Sequence, residues 1–527
     1  MRFHEQGLQE DRHLWEAAGY RLPQYDRRAM VQATRENPFW VHFGAGNLFR
    51  AFQANAVQDL LNEKVLDRGL IAVGDRESME QLSRPHDDYS LLVTLKTDGT
   101  IEKNIVGSIA EYLTLDEGED YPRLKEIFVK DSLQIVTFTI TEKGYNLTQS
   151  DDVYTPEVER DLQEGPENPQ SYMGKIASLL YARYQAGKKP VAMVSMDNCS
   201  HNGTKLYESV SVFARKWSEN GRTDAGFADY IADPNRVSFP WTMIDKITPR
   251  PDASVEALLE KDGIEDLKPI VTSRNTYIAP FVNTEECQYL VIEDNFPGGR
   301  PKLERAGLIF TDRETVNKAE RMKVCTCLNP LHTALAVFGC LLGFSSISDE
   351  MKDDALRKLV EGIGYTEGLP VVTNPGVLDP KKFLDDVLNI RLPNPFMPDT
   401  PQRIATDTSQ KLAVRFGETI KAYANSPELD VKSLKKIPLV FAGWLRYLTG
   451  IDDKGKAFSL SPDPMLDMLC PYVKEENLRP ILENSEIFGV NLYEVQMADT
   501  VIGYFKGMQA GPGAVRKTLE KEVIQNA

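Results

Sequence analysis

"WVHFGAGNLFRAFQA", Trp40 to Ala54, is an apolar run that breaks on two glycines one residue apart and resumes in a stretch with helical spacing. Trp40, Val41 and Phe43 precede Gly44-Ala45-Gly46, and Leu48, Ala51, Phe52 and Val57 follow near helical intervals. The pattern reads as strand, tight turn, helix. In a dinucleotide-binding fold the first glycine of such a turn permits the bend. The second lets the backbone approach a pyrophosphate, whose charge the helix N-terminus stabilises. A third glycine is missing here, so Ala51 has to let the helix pack closely on its sheet. Downstream, "LIAVGDRE" puts Asp75 at the end of a second apolar run, where an acid binds the hydroxyls of the adenosine ribose. That favours NAD over NADP, although neighbouring Arg76 blurs the choice. An ordinary strand-turn-helix with a surface aspartate is the competing reading.

Working outward, β-rich apolar runs such as "QIVTFTITEKGY", "PVAMVSMDN" and "QYLVIED" alternate with more polar helical stretches from about residue 38 to 290. Such alternation is the sequence form of βαβ units around a parallel sheet. Beyond "EDNFPGGRP" (Glu293 to Pro301) long helical segments dominate, among them "KIPLVFAGWLRYLTG". The expected organisation is therefore α/β: a Rossmann-type domain over 1–298 with an N-terminal extension, then a mainly α-helical domain over 299–527. No internal repeat or low-complexity tract is evident.

A chain of 527 residues is too long for one ordinary core, and 42% hydrophobic with 26% charged residues is a soluble globular composition. A net charge of −17 argues against nucleic acid or anionic membrane as partners. The N-terminus lacks a signal-peptide pattern and no apolar run approaches the length of a membrane span, so a cytoplasmic protein, monomeric or a small homo-oligomer, is expected. Six cysteines without a regular framework fit a reducing compartment, and Cys325 and Cys327 read as buried thiols.

Motifs in one order along most of the chain then resemble the long-chain mannitol dehydrogenase family of polyol and sugar-acid oxidoreductases. They are "LPQYDRRAM", "GAGNLFRAF", "TITEKGY", "SMDNCSHNG", "FPWTMIDKITP", "VIEDNFPGGRP", "NPLHTALA", "RIATDTSQK" and "AGWLRYLTG". "GAGNLFRAF" looks most like the hexuronate reductases, because typical mannitol dehydrogenases have histidines where Phe49 and Phe52 stand. Ile244 and Lys246 are mild departures from the family's usual valine and arginine.

The resemblance implies an NAD-dependent reaction at a sugar carbon without a metal. The first expectation is interconversion of D-fructuronate and D-mannonate; tagaturonate/altronate reduction and polyol 2-dehydrogenation are the alternatives, and a catalytically silent dinucleotide-binding protein is the alternative of another class. The cofactor is expected against the glycine loop and the second strand end, at Phe43, Gly44, Gly46, Asn47, Leu48, Asp75 and Arg76, and at Thr139 and Glu142 with Lys143, which follow a predicted strand where open α/β sheets place ligands. Lys323 corresponds to the family's lysine general acid/base, Asn198 and Asn329 to amide donors toward the reacting oxygen, and His332 to a residue holding a neighbouring hydroxyl. Arg403, Lys411 and Asp245 correspond to substrate contacts, with Lys246 a further candidate.

One departure bears on mechanism. Lys323 lies six residues before Asn329, whereas the family interval is five. On a regular helix the extra residue swings the lysine by about 100° off the shared face. A π-bulge restores it, and Pro330, which lacks an N–H and crowds the preceding turn, favours such an irregularity.

Overall fold

The computed structural model describes residues 1–527 except 116, 117, 119, 151, 152, 274, 526 and 527, and of residue 150 only the backbone. Two compact units emerge, Met1–Asn317 and Lys318–Ala527. The division falls later than the expected 298. The physical reason is that strand Ile309–Thr311, beyond the Pro/Gly cluster, pairs in parallel with Tyr289–Glu293 and so stays with the first unit.

The first unit is built on a six-stranded sheet. Its strands are β1 (Trp40–Phe43), β2 (Leu70–Gly74), β3 (Ile109–Thr114), β4 (Ile135–Phe138), β5 (Val191–Ser195) and β6 (Val237–Ser238). They lie side by side in the order β3-β2-β1-β4-β5-β6, every neighbouring pair parallel. The chain winds one way from β1 and then returns to its other side. That reversal opens a crevice at the carboxyl ends of β1 and β4.

Strand composition explains the burial. Val41 and Phe43 enter one core with Ile71, Val73, Val136 and Phe138, while Trp40 enters the opposite core with Ala72, Ile135, Ala192 and Val194. With both faces covered, the strands read as largely apolar runs, and the polar residues within them, such as His42 and Thr137, pair with one another. After β1 the chain turns at Gly44 and Gly46 into α1 (Asn47–Ala51) and α2 (Gln53–Asn62), separated by a break at Phe52. "QYLVIED", expected among the parallel strands, instead pairs antiparallel with Thr242–Asp245 in a separate three-stranded sheet.

In the second unit the core is helical. The helix α3 (Arg313–Met322), whose first turn still belongs to the first unit, leads into a π-helical segment, Lys323–Cys327, and then α4 (Asn329–Leu342). Nearly every side chain of α4 and of α5 (Lys436–Tyr447) is buried. The buried carboxylate of Glu367 caps α5, accepting from the backbone N–H of Lys435 and Lys436 at 2.6 Å each and of Ile437 at 2.9 Å. Contrary to the sequence expectation, one helical stretch among the described residues, Arg313–Leu342, is long and apolar enough to cross a membrane. In the fold 83% of its apolar window is buried inside the protein, as a core helix requires.

Candidate active site

At the carboxyl end of β1 and β4 lies a cleft of about 1100 Å³, lined by the glycine loop, Asp75, Arg76, Thr139, Thr141, Tyr112, Tyr172 and Asp197 among others. The glycines divide the work. Gly44 has φ +100°, and a side chain there would run into the Thr139 carbonyl, so only glycine fits. Gly46 has ordinary φ, and a methyl added there meets nothing within 4 Å. The space in front of Gly46 is cleft.

A histidine the sequence reading passed over fixes this loop. His42 is fully buried on β1, its Nδ1 2.6 Å from Thr137 Oγ1 and its Nε2 2.9 Å from Thr139 Oγ1, and its ring stacks on Phe49 at 4.0 Å. The Thr139 hydroxyl donates 2.7 Å to the Gly44 carbonyl. Burial pulls the His42 pKa down to about 3, so the ring is a neutral clamp. On the other side of the cleft, Asp197 accepts from the backbone N–H of Ile140 at 3.0 Å and Thr141 at 2.8 Å, and from the Tyr145 hydroxyl at 2.5 Å. It holds Thr141 at φ +65°, costly for a β-branched residue. Desolvation raises the Asp197 pKa against these hydrogen bonds.

Among the expected cofactor contacts, Gly44, Gly46, Asn47, Leu48, Asp75, Arg76 and Thr139 line the cleft. Asp75 accepts from Ser78 N and Oγ at 2.8 and 2.7 Å, which aims its carboxylate from the end of β2. Two expectations need correction. Phe43 is a core side chain, stacked on Phe138 with ring centroids 5.2 Å apart, because alternation along β1 turns it into the sheet packing. Glu142 is an exposed residue paired with Lys205 at 2.9 Å and is not among the described residues lining the cleft. Arg50 lines the cleft unexpectedly. Its guanidinium donates to the Ala279 carbonyl and Asn47 Oδ1, both at 2.8 Å, and its Nε is buried without a partner. Burial lowers its pKa to about 10, and among the described residues no carboxylate pairs with it.

Asn198 follows β5 and is exposed, while Asp245 is buried at the end of its strand, opposite Tyr289. Lys246 donates to the Glu285 carbonyl at 3.1 Å.

The second unit carries the other group of candidates. Lys323 is buried and opens the π-helical segment, in which Leu328 N–H donates five residues back to the Lys323 carbonyl at 3.1 Å. This π turn accommodates the one residue by which the spacing to Asn329 exceeds the family interval. Pro330 sits in the first turn of α4, where its missing N–H costs nothing. The Asn329 side-chain amide makes no hydrogen bond among the described residues. Cys325 and Cys327 are buried thiols, their pKa values pushed by desolvation up to about 11 and about 12.

His332, on the first turn of α4, has its Nε2 3.4 Å from Asp399 Oδ2, too poorly aligned for a hydrogen bond, so this buried nitrogen has no partner. Burial and the nearby cations Arg415, Arg403, Arg391 and Lys411 pull its pKa down to about 3. Arg403 is already paired with Asp399, and Lys411 donates to the Thr406 carbonyl. Arg391 and Arg415 were not singled out in the sequence, although Arg415 stands one helical turn beyond Lys411.

Likeness to known proteins agrees with both units. Residues 39–305 match the mannitol dehydrogenase Rossmann domain and residues 315–505 the mannitol dehydrogenase C-terminal domain. A D-mannonate oxidoreductase of Thermotoga maritima is 53% identical over 98% of each chain. A solved D-sorbitol dehydrogenase in substrate-free form superposes with a TM-score of 0.81 at 26% identity, over 95% of this chain and 98% of that one. The ternary complex of Pseudomonas fluorescens mannitol 2-dehydrogenase with NAD and D-mannitol gives a TM-score of 0.71 at 26% identity, over 99% of each chain. With the parallel sheet, the glycine loop and the lysine-asparagine-histidine segment in place, the chain belongs to the mannitol dehydrogenase family.

Proposed function

We propose that this protein is an NAD-dependent oxidoreductase that interconverts D-fructuronate and D-mannonate, with Lys323 as general acid/base. The observation that carries the reading is the near-full-length likeness to a D-mannonate oxidoreductase. The residues present fit a dinucleotide. Gly46 fronts open cleft, and Arg50 is a cation with no carboxylate partner among the described residues beside the same glycine loop, suited to a pyrophosphate. Asp75 repels a 2′-phosphate and accepts from ribose hydroxyls. Bound NAD supplies the hydride acceptor or donor at the nicotinamide.

The chain's own residues move the proton and hold the charge. Lys323, buried at the start of the π-helical segment, takes the proton from the substrate hydroxyl in oxidation and returns it in reduction. Asn198 and Asn329 donate amide hydrogen bonds to the oxygen as negative charge builds on it. His332, neutral throughout the physiological range, offers its unpartnered nitrogen to a neighbouring hydroxyl instead of titrating. Arg403 and Lys411 bring positive charge to the substrate, with Asp399 tempering Arg403.

The test is oxidation of NADH, followed by absorbance, with D-fructuronate, D-tagaturonate and D-fructose in parallel, each repeated with NADPH. D-fructuronate with NADH gives the highest kcat/KM. A higher value with D-tagaturonate or D-fructose overturns the substrate, and a clear preference for NADPH overturns the Asp75 assignment and points to Arg76.

A further inference from the structure

Of the cations that depress the His332 pKa, Arg403 is answered by Asp399, and Lys411 has Asp407 and Asp463 among the charges acting on it. Arg415 differs. It is partly buried on the π-helical segment Ala413–Gly417, and its Nη1 donates to Thr333 Oγ1, on the residue directly after His332. Thr333 Oγ1 donates in turn to the Asn329 carbonyl at 2.9 Å, so the guanidinium is tied to the start of α4, the helix that carries both side chains assigned to the substrate. No carboxylate pairs with Arg415 among the described residues, and desolvation alone lowers its pKa to about 10. Proteins seldom leave a half-desolvated guanidinium without a counter-charge, since a neutral hydroxyl does not offset the lost hydration. In a chain of net charge −17 the lack of a carboxylate here is all the more telling.

We propose that Arg415 is the specificity-determining residue for a sugar acid, its guanidinium receiving the substrate carboxylate as a charge-assisted pair. The inference rests on the substrate class proposed above and deepens it by naming the group that separates a hexuronate from a neutral ketose. A guanidinium has donors enough to keep its bond to Thr333 and still present an N–H edge to a carboxylate. A neutral polyol or ketose gains little from that edge, whereas an acid places a full negative charge on it. Arg403 is less suited, because its counter-ion is already supplied within the fold.

The experiment compares kcat/KM for D-fructuronate and D-fructose, with NADH, in the wild-type enzyme and in Arg415→Met, Arg415→Lys and Thr333→Val. Removing one partner of a desolvated charge pair typically weakens binding about 30-fold or more. Arg415→Met is expected to lose at least that factor for the acid, carried mainly by KM, and far less for the ketose, so the acid-to-ketose ratio collapses. Arg415→Lys keeps the charge without the fork and retains part of the ratio. Thr333→Val removes the tie to α4 and leaves the ratio near the wild-type value. If both substrates fall together in Arg415→Met and Thr333→Val reproduces the loss, Arg415 only braces α4 and the inference is overturned. A wild-type preference for the acid that survives Arg415→Met also overturns it. A wild-type enzyme that does not favour the acid overturns the substrate class first, and the inference with it.

Discussion

Arg50 in the N-terminal unit and Arg415 in the C-terminal unit are a matched pair. Both are partly buried, both have pKa values lowered by desolvation to about 10, and neither pairs with a carboxylate among the described residues. Their surroundings differ. Arg50 lies beside a cradle built from backbone, where a glycine at φ +100° and a glycine facing open space shape the cleft and buried groups such as His42 hold it. Arg415 is bonded to the side chain of Thr333, the residue after His332 with its unpartnered nitrogen, on α4, the helix that a π turn has re-registered. A dinucleotide is one ligand recognised by many related folds, and backbone geometry serves it. A substrate differs from one relative to the next, and side chains are what evolution exchanges without disturbing the fold.

If the two regions divide labour this way, damage to each should have its own kinetic signature. Lys323→Ala gives the largest effect: turnover falls by roughly 10² to 10⁴-fold, the usual contribution of general acid/base catalysis, while NADH affinity measured by fluorescence titration stays nearly intact. Unchanged turnover would hand the proton to another group and break the comparison at its strongest point.

The converse signature belongs to the glycine loop. Gly46→Ala folds with little loss of thermal stability, because its φ is ordinary and the added methyl meets no atom, yet it weakens NADH binding by about tenfold or more by filling the space a pyrophosphate needs. Gly44→Ala instead lowers the melting temperature, since the methyl collides with the Thr139 backbone at a φ that L-residues avoid. Equal stability losses in the two variants would show that the loop has no separate recognition surface.

The smallest effect sharpens the role of His42. An unfolded histidine takes up a proton below about 6.5, whereas His42 in the fold resists until about 3. Between those values the unfolded state binds the extra proton. Stability therefore falls as pH drops from about 6.5 toward about 3, by up to about 1.4 kcal/mol per pH unit for each such histidine. His42→Gln should flatten the decline of the urea midpoint across the upper part of that window. A slope identical to the wild type would mean that this ring is not the buried clamp described here.

The residues show where sequence reading succeeds. Local rules produced the strand before Gly44, the turn, the acid after β2 and the π turn before Pro330, because glycine, proline and alternating apolar residues act on the backbone within a few positions. They failed wherever a side chain's fate depended on distant chain. Phe43 was assigned to the cofactor and lies in the core; Glu142 was assigned there too and meets Lys205 at the surface. The importance of Asp197 comes from two N–H groups more than fifty residues earlier in the chain, although its place next to Asn198 at a strand end was a readable hint. "QYLVIED" has the composition of a buried parallel strand, and its real partner, Thr242–Asp245, is visible in pairing alone.

The strand-turn-helix at Gly44, the alternation that makes a parallel sheet, the net acidity, and a lysine, an asparagine and a histidine in one segment are all written in residue type and short-range spacing. Which charges are answered is settled by the folded arrangement. Whether an arginine finds a carboxylate, a threonine or nothing depends on what the fold brings alongside it. Arg403 meets Asp399 and Arg415 meets Thr333. Coulomb and desolvation energies depend on distance through space, and distance along the chain does not specify them.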